Sequence, residues 1–140
     1  MSSSHPAFDL EVITPDGASF RGRAVSVRLQ GKDGNFGILA RHAPLVAALE
    51  TGIGRIELEE GAREQLALGE GFVEVAKGKV RVLADFCNAK QQIDVERAAE
   101  SEKRARERLK TRAENVDHAR AEAALRRALV RLTVGRGIEV

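Results

Sequence analysis

Phe8, Leu10 and Val12 alternate with Asp9 and Glu11, and Val25, Val27 and Leu29 alternate with Ser26 and Arg28. A period of two gives each segment one apolar and one wet face, the pattern of a half-buried antiparallel strand. Residues 53–58, 65–68, 72–76 and 80–83 fit the same template. Between them stand Pro15-Asp16-Gly17, Asp33-Gly34-Asn35, Glu60-Gly61 and Lys77-Gly78, residue types suited to tight turns. Short strands punctuated in this way predict a sandwich or a barrel. No segment before residue 84 sustains apolar residues at helical spacing.

At Asp94 the period changes. From there to Val134 the chain has neither Pro nor Gly and is rich in Ala, Arg, Glu and Leu, all strong helix formers. Two helices are predicted, about 94–109 and 116–134, with a break over 110–115. Asp94 is the expected N-cap of the first, Asn115 or Asp117 of the second, and Gly135 the expected stop. The second helix offers Ala121, Ala124, Leu125, Ala128, Leu129 and Leu132 on one face. The first offers only Val95, Ala98, Ala105 and Leu109. So thin a seam contributes only about 3 kcal/mol of burial, so the hairpin is expected to dock weakly and to be able to detach; the alternative is a static packed appendage.

Composition narrows the class. Of 140 residues 43% are hydrophobic and 31% charged, enough for one ordinary domain and an appendage, with apolar runs too short to cross a bilayer. The start, Met1-Ser2-Ser3-Ser4-His5-Pro6, lacks the features of a secretory signal, so a cytoplasmic location is expected. Cys87 is the single cysteine, which excludes an intramolecular disulfide; it reads as a small buried residue or an incidental thiol. The net charge of +2 is unevenly divided: residues 1–93 sum to −1 and residues 94–140 to +3. Without Trp or Tyr the chain lacks the stacking platform of a single-strand nucleic-acid binder.

Catalytic patterns are missing. There is no P-loop and no Gly-x-Ser-x-Gly elbow, and Gly52-x-Gly54 and Gly69-x-Gly71 read as turns. His5, His42 and His118 are scattered without metal-ligand spacing. Two features remain. Residues 31–45 hold three glycines around Phe36 and end in His42-Ala43-Pro44, a loop suited to contact or to connecting sheets. On the helices, Arg127 and Arg131 share one face and Arg97 and Arg104 another. In an antiparallel hairpin the two pairs converge on one anion; the alternative is a solvated charged face.

Four ordered motifs go further. They are Phe36-Gly37-Ile38-Leu39-Ala40-Arg41-His42-Ala43-Pro44-Leu45, Gly69-Glu70-Gly71-Phe72-Val73-Glu74-Val75, Val82-Leu83-Ala84-Asp85 and Ile93-Asp94-Val95-Glu96-Arg97-Ala98. Over residues 8 to about 134 the chain resembles the epsilon subunits of F-type ATP synthases, called delta in mitochondria. The resemblance implies a mainly β fold plus α: an N-terminal ten-stranded antiparallel β-sandwich over 1–88, followed by a C-terminal two-helix antiparallel hairpin over 89–140.

It also implies a non-catalytic rotor subunit on the cytoplasmic face of the bacterial plasma membrane, without direct membrane insertion. The implied partners are the gamma subunit and the ring of c subunits, and the alpha and beta subunits when the hairpin extends; nucleic acid is not among them. Asp33, Asn35, Arg41 and His42 correspond to the c-ring loop, although Ala40 stands where relatives commonly have Pro and Asn35 where many have Glu. Arg120, Arg126, Arg127 and Arg131 correspond to residues that meet the catalytic subunits and inhibit ATP hydrolysis. No cofactor or metal is obligatory. Regulatory ATP, as some relatives bind it, falls on Asp94, Arg97, Ala98, Arg104, Arg127 and Arg131, although the junction at 88–92 is less acidic than in those relatives. The competing class is a stand-alone anion-binding adaptor with a basic hairpin.

Overall fold

Alternation makes the first strand: in β1 (Phe8–Thr14) the residues Phe8, Leu10 and Val12 are buried while Asp9 is exposed. In the computed structural model, which describes residues 6–111 and 116–140, eight further strands follow. They are β2 (Gly17–Gly31), β3 (Gly34–Ile38), β4 (Leu45–Leu49), β5 (Gly52–Leu58), β6 (Arg63–Leu68), β7 (Gly71–Ala76), β8 (Lys79–Ala84) and β9 (Cys87–Ala89). Nine strands are thus found among the described residues, one fewer than the ten expected. A 3₁₀ turn at Lys90–Gln92 leads to α1 (Val95–Lys110) and α2 (His118–Gly135).

The sheet folds into two layers because β2 serves both. Its first half pairs with β1, from Phe8↔Ala24 to Thr14↔Gly17, and its second half pairs with β3 and β5. One layer runs β1-β8-β7-β4 and the other carries β2-β5-β6-β9 with β3 beside β2. Sequence alternation marks only 25–29 of β2, whose earlier part, Gly-Ala-Ser-Phe-Arg-Gly-Arg, is largely exposed and becomes a strand by pairing with β1. One pairing departs from the antiparallel expectation: β1 and β8 run parallel, from Asp9↔Lys79 to Ile13↔Leu83. Alternation encodes which face is buried but not strand direction.

The core between the layers holds Phe8, Leu10, Val27, Leu29, Ile38, Val73 and Val82, each at most 2% exposed. Cys87 joins it, and burial pushes its thiol from an ordinary value of 9.0 up to about 11. A folded thiol that ionises later than the unfolded one contributes stability that is complete below pH 9 and lost as pH rises toward 11. Urea midpoints are therefore expected to fall through that range in the wild-type chain and to fall less steeply in Cys87→Ala.

Both helices are capped by aspartate. Asp94 Oδ1 accepts from the Arg97 backbone N at 3.1 Å, and Asp117 Oδ1 from the Arg120 backbone N at 3.0 Å. The expected cap at Asn115, and most of the expected break, lie outside the described residues. The second helix stops differently from expectation. Gly137, at φ 70°, is the left-handed residue, with its N bonded to Val134 O and Ile138 N bonded to Thr133 O, a Schellman closure. Gly135 still lies inside the helix, where a Cβ would come within 2.8 Å of Ile93 and 2.9 Å of Val95. It is a close-packing glycine.

Ala98 and Ala105 of α1 and Ala121 and Ala128 of α2 are the buried alanines of the hairpin. Leu129, expected on this seam, is 38% exposed, while Val134 is buried against the sandwich side. It is α2 that packs on β5, β6 and β9. Beyond it, the Gln65 amide donates to Ile138 O at 2.8 Å and accepts from Val140 N at 3.0 Å, tying the tail to β6.

Candidate functional site

Where α1 leaves the sandwich, a cavity of about 410 Å³ opens between the two helices and the β9 junction. Its lining includes Asp94, Arg97 and Ala98 from the start of α1, Arg127, Ala128 and Arg131 from α2, and Asn88 and Gln92 from the junction. The antiparallel hairpin thus unites residues more than thirty positions apart. Five of the six residues expected around an anion line this cavity. Arg104, the sixth, lines an adjoining groove of about 180 Å³ together with Arg108, Arg120 and Arg127.

The cavity is cationic and partly desolvated. Burial pushes the Arg131 guanidinium below its ordinary value, and the positive charges of Arg127 and Arg97 push it the same way. Among the described residues no carboxylate lies within salt-bridge distance of Arg97, Arg127 or Arg131. Asp94, the carboxylate in the lining, has an oxygen committed to the helix cap. Arg131 is held by neutral partners: its Nε donates to Asn88 Oδ1 at 3.0 Å, and its Cζ lies 4.0 Å from the Phe86 ring centroid. Phe86 and Asn88 carried no signal in the sequence because their contacts cross from the sandwich to α2. Ile93, Ala98, Ala124 and Ala128 give the cavity an apolar side.

The other arginines expected on α2 part company. Arg126 faces the sandwich, 3.9 Å from Glu50, and Arg120 lines the adjoining groove. On the sandwich, Asp33, Asn35, Arg41 and His42 are all exposed but do not form one cluster. Asp33 lies in the β2–β3 turn and Asn35 at the near end of β3, whereas Arg41 and His42 follow the far end of β3, a strand of five residues and about 13 Å. His42 is braced locally, with its N bonded to Leu39 O at 3.0 Å and Nδ1 at 2.7 Å from Ala43 O.

A second surface escaped the sequence reading. Val46, Phe72 and Leu83 are 71%, 55% and 37% exposed. Cross-strand register sets Phe72 between Ala48 and Leu83, and Leu83 beside Ile13, so an apolar row crosses β4, β7, β8 and β1. The next row is charged, with Glu74 opposite Arg81 and Arg81 opposite Glu11, which Arg21 also pairs at 2.7 Å. The signal was available, because Val73 and Val75 face the core and alternation sends Phe72 outward.

Among the described residues no group of three or more His, Cys, Asp and Glu could hold a metal ion, and no helix is long and apolar enough to cross a membrane. Comparison with known proteins matches residues 7–89 to the beta-sandwich domain of the ATP synthase delta/epsilon chain and residues 91–135 to its long alpha-helix domain. The chain is 45% identical over 127 residues to the ATP synthase epsilon chain of Shouchella clausii, covering 91% of this chain and 93% of that one. It is 45% identical over 124 residues to that of Symbiobacterium thermophilum, covering 88% of each. Among solved structures, a chain of the Euglena gracilis mitochondrial ATP synthase, OSCP/F1/c-ring, superposes with a TM-score of 0.75 at 26% identity, over 90% of this chain and 82% of that one. A chain of the Tetrahymena thermophila mitochondrial ATP synthase central stalk and c-ring shares the fold, with a TM-score of 0.56 at 12% identity over 96% and 98%. With both domain matches in order along one chain and two relatives at this identity over most of their length, the protein belongs to the ATP synthase delta/epsilon chain family.

Proposed function

We propose that this chain is the non-catalytic central-stalk subunit of an F-type ATP synthase, and that its hairpin is an ATP-responsive brake on hydrolysis. The observation that carries the reading is the cavity at the hairpin root, whose lining comes from α1, α2 and the β9 junction together, with its cations from the two helices. A ligand bound there bridges all three and therefore stabilises the folded hairpin over any extended form. The rotor part of the reading assigns residues 1–88 to gamma and the c-ring, and 89–140 to regulation. The apolar row through Phe72 and Leu83 suits gamma, and the ends of β3, with Asp33, Asn35, Arg41 and His42, suit the polar loops of the ring. The chain then works at the cytoplasmic face of the bacterial plasma membrane as a peripheral component of the complex, coupling proton-driven ring rotation to ATP synthesis.

The donor set fits a nucleotide triphosphate. Arg97, Arg127 and Arg131, with Arg104 at the next groove, supply forked cations for phosphate oxygens, and the alanine side accepts a flat base. Asp94 holds α1's first turn in place and Asn88 positions Arg131.

The magnitudes are matched. An alanine seam contributes about a few kcal/mol, and a ligand at one hundred times its Kd adds about 2.7 kcal/mol to the form that binds it. Such a ligand decides which form prevails, by its differential affinity for the two. When ATP falls, the hairpin extends, and Arg120, Arg126, Arg127 and Arg131 become available to acidic segments of the alpha and beta subunits. The test is ATP hydrolysis by the epsilon-free catalytic complex after adding the full chain or a version ending at Gln92. Inhibition by the full chain alone, relieved by ATP, is the expected result. Binding without inhibition by either leaves the rotor role and removes the brake; no binding by either removes both.

A further inference from the structure

The groove beyond the hairpin root is also lined by arginine. Arg104, Arg108, Arg120 and Arg127 surround its 180 Å³, and Ser101, Ala124 and Arg127 line both this groove and the larger cavity. The two spaces are therefore neighbours along one seam. Arg97 and Arg108 are eleven positions apart on α1, and Arg120 and Arg131 are eleven apart on α2, about 16 Å of helix in each case. Because the helices are antiparallel, Arg97 and Arg131 stand at one end of the seam and Arg108 and Arg120 at the other.

Little in the described structure neutralises this row. Arg104 donates to Ser101 at 3.2 Å and lies 4.0 Å from Glu100, and no described carboxylate is within salt-bridge distance of Arg108, Arg120 or Arg127. The seam is narrow and floored by Ala105, Ala121 and Ala124. Its far part is too small for a peptide with side chains. A chain of phosphate units has none, and offers oxygens on both sides to guanidiniums of both helices.

We infer that the cavity and the groove form one site for a linear polyphosphate longer than the triphosphate of a nucleotide, with Arg108 and Arg120 gripping the additional phosphates. This rests on the nucleotide reading of the larger cavity and extends it: bound polyphosphate would hold the hairpin folded as ATP does.

Calorimetry on the full chain tests it with tripolyphosphate, a medium-chain inorganic polyphosphate, ATP and poly-glutamate at one salt concentration. Affinities are compared per phosphate or per carboxylate. The expected result is that Arg108→Ala with Arg120→Ala weakens the longer polyphosphate at least about tenfold and tripolyphosphate far less, with ATP not weakened. Both side chains are exposed, so the variant should fold, and circular dichroism checks that. Arg106→Ala, which removes a guanidinium paired with Glu102 outside the groove, should leave polyphosphate binding unchanged. Equal loss in Arg106→Ala would mean diffuse attraction to a basic surface and would overturn the proposal. So would an unaltered polyphosphate affinity in the double variant, or poly-glutamate binding as tightly as polyphosphate, which would point to an acidic peptide. Failure of ATP alone, with the polyphosphate pattern intact, removes the nucleotide reading and leaves this site standing.

Discussion

Arg127→Ala is expected to weaken ATP binding by at least about tenfold while leaving the unfolding transition of the sandwich unchanged. Arg127 lines both the cavity and the groove and is half-buried, and no described carboxylate lies within salt-bridge distance of it to compete with a phosphate. A hydrogen bond to a charged group contributes about 1.5–3 kcal/mol, which is a factor of about ten to one hundred and fifty in affinity. The packing of α2 rests on Ala121, Ala128, Leu132 and Val134, none of which the substitution touches. Removing Arg127 also removes one of the charges that disfavour ionised Arg131, so the ligand-free hairpin should be no less stable. Calorimetry with ATP and a thermal melt read the two effects separately. Equal ATP affinity in variant and wild type would remove the nucleotide reading, and a lowered melting transition would make Arg127 a packing residue.

Gly71→Val is expected to be far more damaging, lowering stability by more than about 3 kcal/mol. A Cβ on Gly71 would lie 1.7 Å from the Leu83 carbonyl oxygen, and the obstacle is backbone. Overpacking against a side chain costs about 1–3 kcal/mol when the neighbour can rotate away; a carbonyl in a strand ladder cannot do so without breaking pairing. Gly71 pairs with both Leu49 of β4 and Ala84 of β8, so the disturbance reaches three strands. It also moves the row through Phe72 and Leu83, the surface proposed for gamma, so on that proposal gamma binding is expected to fall along with stability. Urea unfolding followed by circular dichroism measures the first. A midpoint within error of wild type would show that the β7–β8 approach relaxes freely.

The divided outcome between strands and sites follows from what a local pattern contains. Period-two alternation in β1, β5, β7 and β8 was legible because burial on one face is a property of neighbouring residues. The Asp94 cap was legible for the same reason, since it acts within one turn of its own helix, and Asp117 was one of the two candidates for the second. Helical spacing was enough to expect Arg97 to meet Arg127 and Arg131 once the helices turned back on each other. It was not enough for Arg104, about two turns further, which the seam delivers to the adjoining groove.

The sequence by itself determined the strand-rich first part, the helical second part, the poor alanine seam between the helices and the excess of cations along it. Each of these depends on residues a few positions apart, whose spacing and chemistry suffice. Only the tertiary structure decided that β1 and β8 run parallel, that β2 extends to fifteen residues, and that Gly137 rather than Gly135 closes α2. It alone set Phe86 under Arg131, separated Asp33 and Asn35 from Arg41 and His42, and aligned Phe72 with Leu83. These arrangements join residues distant along the chain, and their energies come from pairing and packing that exist only after the layers have closed.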